Sequence, residues 1–198
     1  NIAEMASFAK AHNVKLRPHS KTHKSADIAR RQIASGALGV CCAKLGEAEE
    51  LAGGGVGSIL ITSPVVAPPA IARLIALNAR IKDLRVVIDN PDNVEALGVA
   101  AAKAGKVLQV LVDIDPGIRR TGVSSPEAAV AAARRIAGLS SMRYLGVQNY
   151  CGREQHIESY EKRREAMVGR TDYLKTVIHA LTEAGFAPGV ITGGGTGT

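Results

Sequence analysis

Residues 107–138 read VLQVLVDIDPGIRRTGVSSPEAAVAAARRIAG, and this stretch decides the fold. Val107–Ile114 is a short run rich in β-branched residues, of the kind found in strands covered on both faces in a parallel sheet. Pro126 follows Ser124-Ser125 and marks a helix start, because the first helical residue has no intrahelical use for its N–H. Ser124 and Glu127 have the spacing of a capping box. The amphipathic run then continues to Gly138, a residue type favoured at helix ends. Between strand and helix lies DIDPGIRRTG, polar and rich in turn residues.

The same unit recurs in both directions. Apolar runs lie at Val14–Pro18, Ala37–Cys42, Ser58–Thr62, Leu84–Asp89, Tyr144–Tyr150 and Val190–Thr192. Helical patterns lie at Ser25–Ser35, Gly46–Gly53, Pro68–Arg80, Pro91–Ala104 and Ser159–Gly185. Pro91 again follows capping residues, Asp89-Asn90, and Gly105 and Gly185 sit at helix ends. Seven strands alternating with helices fall one short of an eight-stranded (β/α) barrel. The opening NIAEMASFAKAH reads as a helix with Ile2, Met5, Phe8 and Ala9 on one face, so an earlier strand is expected before it. The expectation is a TIM-like α/β barrel, with residues 1–198 forming part of that single domain. A doubly wound open sheet fits the alternation too.

Composition narrows the function. At 198 residues and 46% apolar content, the chain can bury a core. Aromatics make up 3% and Trp is absent, which disfavours a base-stacking nucleic-acid surface. The net charge of +7 comes from Lys and Arg scattered over most helices, as on a solvated surface. Cys41, Cys42 and Cys151 make neither a disulfide framework nor a CxxC zinc motif, and are read as inert or pocket-lining. No membrane-length apolar run or signal-peptide pattern occurs, so a cytoplasmic setting is expected.

Functional residues of such a barrel sit at the C-terminal ends of its strands. Here those ends read HSKTHK, CCAKLGE, TSP, DNPD, DIDPGIRRTG, QNYCG and TGGGTG. In RPHSKTHKS, extended backbone would put Arg17, His19, Lys21 and His23 on one face. Burial there would lower the pKa of Lys21 and free its amine to attack a carbonyl; on charge alone, a solvated basic loop is the better reading. His19 and His23 are four apart but have no acidic partner beside them, which makes them a poor zinc pair. Gly193–Thr198, GGGTGT, could cradle a phosphate on its backbone amides or be a plain loop, and it lacks the lysine of a nucleotide P-loop. Gly53–Gly57 reads as a turn on the opposite rim. Arg120 could bond an oxygen anion and Tyr150 a ring nitrogen, although a surface Arg and a core Tyr fit as well. Asp113 and Asp115 could pair as acid and base, bind a cation, or simply form a strand-end turn. Glu47 reads as a first-turn helix acid.

Taken in order, RPHSKTHKS, GVCCAKLGEAE, DIDPGIRRTGV, GVQNYCGREQH and ITGGGTGT resemble the D-threonine aldolase family, including its D-3-hydroxyaspartate aldolases, among the alanine-racemase-like enzymes. The resemblance implies an N-terminal barrel carrying pyridoxal 5′-phosphate, a C-terminal β-domain that lies outside this chain, and usually a homodimer. It implies Lys21 as the Schiff-base lysine and Arg120 facing the cofactor's phenolic oxygen. It places Tyr150 at the cofactor and Gly193, Gly194, Gly195, Thr196 and Gly197 in the phosphate loop. It also implies a divalent metal such as Mn²⁺, with ligands in the C-terminal domain and none assigned here. The reaction implied is retro-aldol cleavage of D-threonine or D-3-hydroxyaspartate to glycine and an aldehyde, by the complete enzyme rather than by this span alone. Departures from the family pattern at Pro116, Thr121 and Asn149-Tyr150-Cys151 bear on side-chain preference. D-serine dehydratase relatives, which yield a 2-oxo acid and ammonia, share the lysine segment. Non-catalytic pyridoxal-phosphate-binding barrels are a further alternative.

Overall fold

The structure, a computed structural model, describes residues 1–195 and 197. It divides into two compact units, Asn1–Val86 and Val87–Thr198.

In the first unit the elements are α1 (Ile2–Ala11), α2 (Ala26–Ala34), β1 (Val40–Cys42), α3 (Leu45–Gly53), β2 (Ser58–Ile61) and α4 (Pro68–Asn78). They lead into β3 (Asp83–Ile88), which runs across the boundary. β1 pairs parallel to β2 (Cys41↔Leu60), and β2 parallel to β3 (Leu60↔Arg85). Adjacent strand residues Ile59, Leu60 and Ile61 are all buried although their side chains alternate in direction. Both faces of these strands are therefore covered, the arrangement that unalternating apolar runs require. α1 behaves differently, with Met5 and Phe8 exposed and Ala9 buried. Phe8 stacks on His12 at 4.1 Å.

Val14–Pro18 does not form a strand. The carbonyls of Leu16 and Pro18 accept bonds from Leu38 and Cys41 at 2.9 and 2.7 Å, and a single bridge joins His19 to Cys41. Pro18 has no N–H to return, and the chain then turns into a 3₁₀ helix at Ser20–Thr22, so no ladder develops.

The second unit contains α5 (Pro91–Lys103), β4 (Leu108–Ile114), α6 (Pro126–Ala137), β5 (Met142–Asn149), α7 (Tyr160–Glu183) and β6 (Val190–Gly193). β4 pairs parallel to β5 and β5 parallel to β6. The first register slips between Val110↔Tyr144 and Leu111↔Gly146, leaving Leu145 as a bulge. A Cβ on Gly146 would lie 1.9 Å from the Val190 carbonyl oxygen, so glycine lets β6 approach. α5 is capped by Asn90, as expected. α6 is capped by Ser125, whose Oγ accepts from Ala128 at 3.2 Å, rather than by Ser124. With Pro126 as the first helical residue, the cap is the residue directly before it.

Candidate active site

In the first unit the polar residues form two groups at opposite ends of the strands. At the C-terminal end of β1, Ser20 Oγ donates to the Cys41 carbonyl at 2.8 Å and anchors the turn that carries Lys21. The Lys21 backbone N–H donates to His19 Nδ1 at 3.2 Å, which makes that nitrogen an acceptor. The ring proton therefore sits on Nε2, which donates to Thr62 Oγ1 at 3.1 Å. Thr62 passes the chain on to the Cys42 carbonyl at 3.1 Å. Burial, reinforced by the nearby Lys21 charge, pushes His19 down to about 4, so the imidazole is neutral at neutral pH.

Lys21 is exposed at the centre of this turn. The expected burial of its side chain is not met, because the backbone leaves the extended conformation for a 3₁₀ turn at Ser20–Thr22. Nor do the alternate residues of RPHSKTHKS share a face. Arg17 points to the other end of the strands, where it donates to Ser58 Oγ at 3.0 Å and pairs with Asp83 at 3.4 Å. Ser58 and Arg85 also donate to Asp83, at 2.7 and 2.8 Å. His23 accepts from the Ser25 N–H through Nδ1 at 3.1 Å. The two imidazoles are thus bound into separate local hydrogen bonds.

Glu47 caps the first turn of α3 and accepts from the Ala43 N–H at 2.8 Å. Cys41 and Cys42 are buried. Burial pushes the Cys41 thiol up to about 12 and the Cys42 thiol higher still, which leaves both unreactive.

In the second unit the strand ends gather the other expected residues. The loop after β4 returns at Gly122, whose N–H donates to Asp89 at 2.9 Å. Gly122 has φ +104, and a Cβ there would lie 2.4 Å from the Asp115 nitrogen. Asp115 is occupied by the loop itself, accepting from the Gly117 and Arg119 N–H groups at 2.8 and 3.0 Å. Asp113 is buried and accepts from Thr121 Oγ1 at 2.8 Å and Gln148 Nε2 at 2.9 Å. Burial lifts Asp113 to about 6 against these two bonds. The two aspartates are therefore not an acid–base pair, since one forms a turn and the other supports the loop from below.

That loop places the Arg120 guanidinium 5.2 Å from the centre of the Tyr150 ring, within cation–π range. The Tyr150 hydroxyl accepts from Gln155 Nε2 at 2.9 Å. A Cβ on Gly195 would fall 2.6–2.8 Å from the side-chain atoms of Gln155, and one on Gly197 3.7 Å from its backbone and Cβ. A Cβ on Gly193 would fall 2.2 Å from the Asn149 carbonyl oxygen. Gly194 has φ +84, the left-handed region that glycine enters without strain. Thr196 lies outside the described residues. Arg120, Tyr150 and the glycine loop thus meet through Gln155, while Lys21 stands in the first unit on its own turn. Gln155 lies within the quoted GREQH segment, where no local pattern marks it as a partner of Tyr150.

This glycine-lined site suits an aromatic, phosphorylated cofactor. Tyr150 and Arg120 offer a hydroxyl and a cation side by side, and the last loop is closely approached by backbone at Gly193 while Gly194 stands open, so its backbone could approach an anion. Among the described residues, no group of three or more His, Cys, Asp and Glu is arranged to hold a metal. No helix among them is long and apolar enough to cross a membrane.

Parallel strands alternating with helices, with polar groups at their C-terminal ends, define an α/β protein built on βαβ units. The chain belongs to the family described as alanine racemase, N-terminal domain, whose model matches residues 1–198. It is 38% identical over 199 residues to a 3-hydroxy-D-aspartate aldolase of Paracoccus denitrificans, covering 100% of this chain and 51% of the relative. It is similar to the crystal structure of a D-threonine aldolase from Filomicrobium marinum, with TM-score 0.96 and 36% identity over 99% of this chain and 53% of that one. A D-threo-3-hydroxyaspartate dehydratase from Delftia sp. HT23 matches with TM-score 0.89 and 29% identity, over 100% of this chain and 52% of that one. The expected barrel fold is the one these matches show, and the chain spans about half the length of the relatives.

Proposed function

We propose that this chain forms the pyridoxal-phosphate-binding barrel of an aldolase cleaving a D-3-hydroxy amino acid, D-threonine or D-3-hydroxyaspartate, to glycine and an aldehyde. The observation that carries this reading is the 38% identity to an aldolase along the whole chain, against 29% for the dehydratase. The cofactor supplies an electron sink for the charge left on Cα when the Cα–Cβ bond breaks. The protein's part is to hold and orient it. Lys21 is the covalent anchor, presented on a turn that the neutral His19 fixes from Thr62. Arg120 donates to the phenolic oxygen and Tyr150 to the ring nitrogen, while Gly193–Gly197 take the phosphate. The divalent metal is held by residues outside this chain, in a C-terminal β-domain. The working enzyme is a cytoplasmic homodimer, a setting in which three buried free thiols persist.

The test uses the full-length protein with pyridoxal phosphate and Mn²⁺, offered D-threonine, D-3-hydroxyaspartate and D-serine separately. Glycine with acetaldehyde or glyoxylate is expected. A 2-oxo acid with ammonia would make it a dehydratase, and no product from any substrate would favour a cofactor carrier. Lys21→Ala is expected to keep the fold and lose the cofactor's bound absorbance; retention of that absorbance would overturn the assignment.

A further inference from the structure

We infer that Gln155 is a positioning residue that couples the ring end of the cofactor site to its phosphate loop; this rests on the pyridoxal-phosphate reading above. Its amide donates to Tyr150 Oη at 2.9 Å. In that bond the phenolic oxygen accepts, so the phenolic hydrogen is directed toward a different acceptor. An aromatic nitrogen is such an acceptor. The same side chain packs against the glycine loop, where a Cβ on Gly195 would lie 2.6 Å from Gln155 Cδ, 2.7 Å from Oε1 and 2.8 Å from Nε2. One amide therefore touches the residue proposed for the ring and the loop proposed for the phosphate.

The backbone beneath Gln155 is built to hold still. It lies in a 3₁₀ turn, Glu154–His156. Glu154 is 2% exposed and pairs with Arg170 of α7 at 2.7 Å. The Arg170 guanidinium also lies under the loop that carries Arg120, since a Cβ on Gly117 would fall 3.1 Å from it. Tyr150 is confined by Arg120 at 5.2 Å and by Gly152, where a Cβ would lie 2.6 Å from the ring. With the tyrosine ring and the 3₁₀ turn both fixed, the amide can set the direction of the hydroxyl and the position of the loop together.

The experiment measures dissociation constants of pyridoxal phosphate, and of pyridoxal without its phosphate, for four full-length proteins: wild type, Gln155→Leu, Tyr150→Phe and the double variant. Gln155→Leu is expected to weaken pyridoxal phosphate binding by about five- to tenfold, the scale of one lost neutral hydrogen bond. It should also lower the preference for pyridoxal phosphate over pyridoxal, because the loop loses its support. In the Tyr150→Phe background the cost of Gln155→Leu should shrink by about threefold or more, the mark of two side chains acting as a unit. Gln155→Met, which keeps the length of the side chain, serves as a second variant if the leucine protein folds poorly. Purely additive losses, or a Gln155 variant that binds as tightly as wild type, would overturn the inference. A wild-type protein that binds no pyridoxal phosphate would overturn the cofactor reading itself, and this inference with it.

Discussion

His19 shows how one side chain sets up another. Its Nδ1 accepts from the Lys21 backbone and its Nε2 donates to Thr62, so a second ring proton has nowhere to go without breaking the first bond. Its folded pKa of about 4 lies below the ordinary 6.5. Above pH 6.5 both folded and unfolded states keep it neutral and it exerts no pH effect. As pH falls from 6.5 toward 4 the unfolded chain takes up a proton that the folded chain refuses, so stability declines and then levels off. His19→Asn keeps an acceptor for the Lys21 N–H and does not titrate. Urea unfolding across this pH range is expected to show the slope in wild type and a smaller one in His19→Asn; an unchanged slope would place its source elsewhere. RPHSKTHKS marked Lys21 as a candidate, but did not display its exposure. Alternate side chains share a face only along extended backbone, whereas Ser20 finds a buried acceptor on Cys41 and pulls the chain into a turn.

At the level of elements, β5 carries the adjustment that places the last loop. The bulge at Leu145 brings Gly146 opposite Val190, and β6 then runs alongside to Gly193, where the glycine loop begins. Gly146→Ala would drive a methyl into the Val190 carbonyl, so β6 must move. The expected loss is about 1–3 kcal/mol, as for other overpacked buried sites, accompanied by weaker cofactor binding. Urea denaturation and a cofactor titration check both, and stability within about 0.5 kcal/mol of wild type would contradict the tight approach. The strands and helices were largely legible, because unalternating apolar runs and Pro or Gly punctuation are local signals. The exceptions were Val14–Pro18, where an apolar run without enough free donors could not build a ladder, and the α6 cap, one residue from where the spacing put it.

At the largest scale, the Arg17 network and the turn carrying the candidate Lys21 occupy opposite strand ends. In the first unit the N-terminal ends of β2 and β3 hold the Arg17–Ser58–Asp83–Arg85 network, while the Lys21 turn sits at the C-terminal end of β1. Arg17→Met should therefore lower stability by about 2–3 kcal/mol by leaving Asp83 short of a partner. It should leave the affinity for pyridoxal phosphate within about twofold. A variant that folds normally but loses the cofactor would contradict this division. The sequence by itself determined the alternating architecture, the family and the candidates Lys21, Arg120, Tyr150 and the glycine loop, because backbone preferences and chemical motifs are written in neighbouring residues. Only the tertiary structure decided that Arg17 turns away from Lys21, that Asp113 and Asp115 serve different ends, and that Gln155 joins Tyr150 to the last loop. Those outcomes depend on which partner lies within hydrogen-bond reach across strands far apart in the chain, and a sequence does not display that distance.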